Sequence, residues 1–353
     1  DRLMRVALVV FAFGCLIPLS LVGWDSGVSR SVSLPQGRPE DCRLQEELPP
    51  ERKNLKRLNN DCKKCHADVH AEWTVTQHAK SWTDPVFQAE ISKLDDKGAS
   101  CARCHAPRAL WHMEMGEIPA ARDKDRDLGV NCVTCHMLGN IYFGPFHSQG
   151  HGGVEGEAVY RSSTICFSCH GQPEVRKEHD QMTSYLEGKA WSKDGKTCQS
   201  CHMPMVERKL VTKKSLKMKF LIGVQPVRMH SFTGARRGEI VKDCADLAVA
   251  FAGEKIVASI TPKTGHSLPC TSHREVVLTV VQSDGKGQEV SRETRKYTFP
   301  QGEALAPSGT TTVEFAAVVG AETARATLVQ VMTKTEGRPE DVRQPIQEAE
   351  TKR

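Results

Sequence analysis

The chain has 353 residues, a formal charge of +5, 26% charged residues and only 6% aromatic ones. That length admits two domains or more. No basic tract interleaved with aromatics is present, which argues against a nucleic-acid surface, and Asp61–Met205 has too few apolar runs to build an ordinary core.

From the N-terminus, Val6–Val22 is uncharged and mostly apolar, and with Leu3, Met4, Gly23 and Trp24 it reaches the roughly 20 residues that span a bilayer. Arg2 and Arg5 precede it, which orients that end toward the cytoplasm. Two readings stand: a retained single transmembrane helix over 1–24, and a cleaved signal segment. Leu21-Val22-Gly23 is a poor cleavage site, which favours the anchor. A polar linker with scattered Ser, Gly and Pro follows over 25–50.

The next region spells Cys-x-x-Cys-His five times: Cys62–His66, Cys101–His105, Cys132–His136, Cys166–His170 and Cys198–His202. The motif starts are 31 to 39 residues apart, and the intervening sequences do not repeat. Structural zinc takes four ligands, so its Cys pairs tend to come in twos, and a thioredoxin-like pair occurs once. Five pairs, each followed by His, instead fit c-type haem attachment. Cys62, Cys65, Cys101, Cys104, Cys132, Cys135, Cys166, Cys169, Cys198 and Cys201 would bond five porphyrins, with the adjacent histidines as proximal iron ligands. The haems would supply the missing apolar volume, so fold and cofactor are coupled. Their propionates outweigh the +5, and Lys and Arg near the haem edges would balance them.

Short helices are expected around the motifs, with Ala67–Ala79 and Pro173–Glu187 helical and Gly139–Gly156 a loop. Nine histidines are left over for the distal positions. His78, His179, His230 and His266 are the preferred distal ligands, with one of His147 and His151 from the Gly-rich loop. His70 shares a helix face with His66 and ranks below them, as do His112 and His273. Met113, Met115, Met137, Met182 or Met229 leave one His/Met haem open as an alternative.

Around Cys244 the texture changes. Leu247–Ala252, Lys255–Thr261, Glu275–Gln282, Arg295–Phe299, Thr311–Val319 and Ala324–Thr333 read as short strands separated by turn residues such as Ser283-Asp284-Gly285. The expected fold is a mostly α and irregular multihaem domain over 51–240 with little regular structure. A small antiparallel β-sandwich over 241–335 follows it. The charged tail, 336–353, reads as loose or partner-bound.

Several of these strings are familiar together. Cys62-x-x-Cys-His with Trp73 and His78, Cys101-x-x-Cys-His-Ala-Pro107, Gly129-Val-Asn-Cys-x-x-Cys-His136 and Cys198-Gln-Ser-Cys-His-Met-Pro204 resemble one multihaem c-type cytochrome family. It includes the tetrahaem cytochrome partner of hydroxylamine oxidoreductase. His230-Ser-Phe-Thr-Gly234 and Gly265-His-Ser-Leu-Pro269 are similar to C-terminal parts of its larger members. The resemblance implies closely packed haem pairs, mostly bis-His ligation and electron transfer outside the cytoplasm. It supports His78, His179, His230 and His266 as ligands, and one of His147 and His151. The membrane segment and Cys270 depart from the pattern; a disulfide among Cys42, Cys244 and Cys270 is expected, with Cys244–Cys270 the first choice.

The function expected on this reading is a membrane-anchored pentahaem cytochrome. It would relay electrons on the periplasmic side of the inner membrane, between a quinol-oxidising membrane partner and a soluble or outer cytochrome. Two alternatives stay open: a reductase or oxidase of small nitrogen or sulfur compounds with one open haem, and an electron-transfer subunit of a larger respiratory complex. Every motif ends in His and distal candidates abound, so no open iron is marked and no catalytic residue is assigned.

Overall fold

Seven α-helices occur among the described residues of this computed structural model, which are 55–110, 118–148, 151, 153–156, 158–171, 195–212, 223–234, 239–242, 244–299, 303–307 and 309–353. They are α1 Leu55–Lys63, α2 Ala67–Thr74, α3 Pro85–Ser92, α4 Ala102–His105, α5 Cys132–His136, α6 Thr164–His170 and α7 Cys198–His202. None exceeds 9 residues. Each of the last four is little more than the motif it carries. In α5, Asn131 caps the start by accepting from Val133 N and Thr134 N. Thr197 is the N-cap of α7, and its N–H donates to Ser200 Oγ at 3.1 Å.

Strands dominate instead, at 36% of the described residues against 22% in helices, which corrects the expectation of a mostly α and irregular multihaem domain followed by a small β-sandwich. Two causes are visible. The helices of the second to fifth motifs stop at the motif histidine and the first helix stops at Lys63, and strands enter the haem region itself. Gly139–Gly156, expected as loop, carries β2 Ile141–Gly144 and β3 Val154–Gly156, which pair in parallel, with β1 Met137–Leu138 antiparallel on the other side of β2. A hairpin of β4 Met205–Lys209 and β5 Val224–Arg228 follows the fifth motif. Gly139 lies at the turn between β1 and β2, whereas Gly144 and Gly156 end strands, with Tyr142 and Phe143 beside Gly144 in β2.

The helix expected over Ala67–Ala79 ends at Thr74. Thr74 Oγ1 donates to the His70 carbonyl and Thr76 Oγ1 to the Trp73 carbonyl, and Thr76 Oγ1 accepts from Ala79 N. These hydroxyls compete with the helix ladder just where Thr74, Val75 and Thr76 form a β-branched run. Pro173–Glu187 lies outside the described residues, as does the apolar run Val6–Val22. None of the described helices is long and apolar enough to cross a membrane, so the expected transmembrane helix finds no counterpart among them.

The C-terminal part is a two-layer β-structure. One sheet has the order β10-β7-β6, from Thr311–Ala316, Lys255–Pro262 and Ala245–Ala252; the other has the order β12-β11-β8-β9, from Val342–Lys352, Thr323–Met332, Arg274–Ser283 and Glu289–Thr298. All neighbours are antiparallel. Alternate residues of the facing strands (Ile256, Ala258 and Ile260; Val276, Leu278 and Val280; Ala324, Ala326 and Leu328) form one core with Tyr297, Leu305 and Ile346. The tail is therefore not loose. β12 pairs along the length of β11, and Ile346 fills the shared core. Just before it, Glu336 lies 3.1 Å from Lys93, which caps the end of α3, and Gly337, at φ +83°, passes against the backbone of Pro85, where a side chain would not fit.

Candidate haem-ligand site

His105, His136, His170 and His202 each end a short helix and His66 caps the start of α2; most of these proximal histidines have one ring nitrogen tied to the backbone. Nδ1 of His66 lies 3.0 Å from Leu210 O, that of His105 2.8 Å from Ser81 O, that of His136 2.9 Å from Phe143 O, and that of His202 bonds Thr233 O. His230 and His266 do the same with Arg228 O at 3.1 Å and Ser267 O at 3.0 Å. A carbonyl can only accept, so Nδ1 carries the proton, and in each neutral ring Nε2 keeps its lone pair. That is the tautomer a metal requires, and the carbonyl raises the ring's basicity.

The rings then come together in twos. His66 faces His151 with centroids 5.9 Å apart, His170 faces His78 at 6.1 Å, His136 faces His230 at 6.1 Å and His202 faces His266 at 6.2 Å. Two metal–nitrogen bonds of about 2 Å, with the offset from ring centre to nitrogen at each end, require about 6 Å. These four pairs therefore fit an iron held between two imidazoles, which is the observation that matches the residues to haem. Zinc-type chemistry lacks such support: among the described residues no group of three or more His, Cys, Asp or Glu is placed to hold a metal ion.

Of the loop candidates, the structure brings His151 to a proximal ligand and His147 to the Gly156 N–H at 3.3 Å. His151 adopts φ +57° between glycines, and Tyr142 of β2 stacks on it at 4.4 Å. His105 packs face to face with Phe87 of α3 at 3.9 Å and 8°. His179 and His112 lie outside the described residues. His70 is buried against Trp73, with Nδ1 3.2 Å from Thr74 Oγ1, and His273 is exposed at φ +57°.

The cysteines draw the motifs together. The thiols of Cys62 and Cys132, of Cys104 and Cys169, and of Cys166 and Cys198 hydrogen-bond each other, so motifs one and three, two and four, and four and five are neighbours. Backbone ties agree. Asn59 Oδ1 accepts from Cys132 N, Ser163 Oγ from Cys198 N, and Tyr160 donates its hydroxyl to Cys135 O while stacking on His136. The expected Cys244–Cys270 disulfide is corrected: both are thiols, Cys244 packing on the sandwich core and Cys270 hydrogen-bonding His266.

Distal ligands are held by long-range contacts. Trp73 Nε1 donates to Val130 O at 2.8 Å and Val130 N to His78 O at 2.8 Å, which fixes the turn bearing His78 against motif three. Buried Arg122 donates to Gly129 O at 2.7 Å and Thr134 Oγ1 at 3.3 Å, bracing the same segment. Burial, with His170, His202 and His105 nearby, lowers His78 to about 3; burial, with His136 nearby, lowers His230 to about 4. Both rings are thus neutral. Burial works to raise the Glu72 carboxyl, but Arg208 and the His230 N–H overcome it and hold the group below its usual range. Sequence reading missed Glu72, Ser81, Tyr142, Tyr160 and Phe232, because no spacing rule links them to the motifs they support.

A model of the family described as "Cytochrome c554 and c-prime" matches residues 61–137, which hold the first three motifs. No curated protein sequence matches. Among solved structures, a penta-heme cytochrome c552 from Thermochromatium tepidum is similar at TM-score 0.59 and 17% identity, over 83% of this chain and 97% of that one. An ApaA protein from Bordetella pertussis is similar over 31% of this chain and 95% of its own, at 18% identity; its TM-score of 0.20 carries no argument. The family match and the motifs make the chain a multihaem c-type cytochrome that binds haem c. They do not single out the tetrahaem partner of hydroxylamine oxidoreductase.

Proposed function

We propose that this chain is a five-haem electron carrier whose irons are mostly closed by two histidines. The single observation that carries the reading is the set of four facing imidazole pairs 5.9 to 6.2 Å apart. Haem c, when bound, supplies a reversible one-electron iron couple tuned by axial ligand, hydrogen bonding and burial. The chain's part is to hold it: ten cysteines for attachment, His66, His105, His136, His170 and His202 on one side, and His151, His78, His230 and His266 on the other. His179 is the candidate for the fifth distal place on sequence alone. The carbonyls at Nδ1 of His66, His105, His136, His202, His230 and His266 fix those rings' tautomer and orientation.

Residence on the periplasmic side of the inner membrane belongs to the same proposal and rests on sequence: thioether haem attachment and the run Val6–Val22. So do the partners, a quinol-oxidising membrane protein as donor and another cytochrome as acceptor. Cell fractionation with a salt wash tests the location, and recovery of the protein in the cytoplasmic fraction overturns it.

The haem reading is tested by electron paramagnetic resonance of the oxidised protein, with haem counted by the pyridine haemochrome assay. Five haems per chain with low-spin ferric signals support it. A high-spin signal that shifts on adding cyanide or nitrite overturns pure relay and favours a reductase or oxidase with an open iron.

A further inference from the structure

One side chain touches the distal ligands of two different pairs. Phe232 meets His78 edge to face, with ring centroids 4.3 Å apart at 74°, and meets His230 at 6.0 Å and 88°. His78 faces His170 of the fourth motif, and His230 faces His136 of the third. We propose that Phe232 is a positioning residue that sets the ring planes of His78 and His230, and so distinguishes the third and fourth haems electronically from the fifth. The inference rests on the bis-histidine reading above.

Three further observations support it. Phe232 adopts φ +43°, a left-handed conformation rare for a bulky side chain and costly to hold, so its surroundings impose it. The residue next in chain is also committed to a ligand: Thr233 N donates to His202 O at 3.0 Å and Thr233 O accepts from His202 Nδ1, which fixes the backbone that aims the phenyl ring. Finally, His136, His202, His230 and His266 each have a ring nitrogen on a carbonyl, whereas no such bond to the His78 ring is found among the described residues. Packing must orient His78, and the phenyl edge at 4.3 Å is in place to do so.

The planes order in the sense this predicts. Of the two pairs with no ring contact to Phe232, His202–His266 lies at 14° and His66–His151 at 32°. The two pairs it touches are turned to 58° for His78–His170 and 42° for His136–His230. The angle between axial imidazole planes governs the splitting of the ferric iron d-orbitals. Near-parallel rings give an ordinary rhombic low-spin spectrum, and strongly turned rings a more anisotropic one.

The test uses the holo-protein and the variants Phe232→Leu and Phe232→Tyr. Leucine keeps apolar volume and removes the aromatic edge; tyrosine keeps both. In Phe232→Leu, two low-spin signals are expected to shift toward the rhombic form while the others hold their g-values, with haem content unchanged. Phe232→Tyr is expected to keep the parent spectrum. No shift in Phe232→Leu, or an equal change of all signals in both variants, overturns the positioning role. Failure of the bis-histidine reading would appear separately, as a parent spectrum without low-spin signals.

Discussion

Glu72 accepts a 2.8 Å hydrogen bond from the backbone N–H of His230, 158 residues further along the chain. The same carboxylate takes both terminal nitrogens of Arg208 from β4, with Nη2 at 3.0 Å. The two side chains are about one-sixth exposed, so solvent screens the pair little. One acid on the first helix pair thus fixes the loop that carries a distal ligand of the third motif. Glu72→Gln leaves Arg208 without its counter-charge and weakens the cap on His230. A loss of about 1.5–3 kcal/mol is expected in urea unfolding, together with a change in the low-spin signal of one haem. An unchanged spectrum would separate the structural tie from the ligand.

His151 and His147 stand four residues apart in one glycine-rich segment, and the structure sets His151 opposite the proximal ligand His66. His151→Ala is expected to turn one low-spin haem high-spin and to let cyanide bind there. His147→Ala is expected to leave the spectrum as it was. The reverse outcome would assign the ligand to His147 and break the pairing with His66.

Legibility in the sequence divided along physical lines. Attachment motifs and proximal ligands are local patterns, and the strands of the sandwich announce themselves by alternation, as in Lys255–Pro262. The choice of His151 over His147 was not readable, because it depends on Tyr142 stacking from a strand that the glycines concealed. Nor was the tail: its charges mark an exposed face of β12, and the single buried Ile346 between them is too weak a signal to announce a strand. The early end of α2 comes from threonine hydroxyls competing for carbonyls, a contest that periodicity alone does not decide.

Gly129 makes a close approach that only glycine allows. At φ +54° its backbone lies against the carbonyls of His78 and Ala79, and a Cβ would sit 2.7 Å from Ser81 Oγ. The clash falls on the turn that presents His78 and on Ser81, whose carbonyl bonds His105. Gly129→Ala is expected to cost about 1–3 kcal/mol and to disturb the fourth haem more than the first. Thermal unfolding and the low-spin spectrum read the two effects separately.

The sandwich offers a test of the tail that does not involve haem. Leu278 is fully buried between the sheets, so Leu278→Ala should cost about 2–5 kcal/mol. Removing 342–353 should be worse than its charged composition suggests. It uncovers the whole edge of β11, whose residues Ala324, Ala326 and Leu328 are in the core, and it takes out Ile346. An open edge of that length also templates pairing with another chain. The expected result is a truncated protein that unfolds at lower urea and self-associates in light scattering. A truncation that stays monomeric with an unchanged midpoint would mean that β12 adds nothing to the sheet it completes.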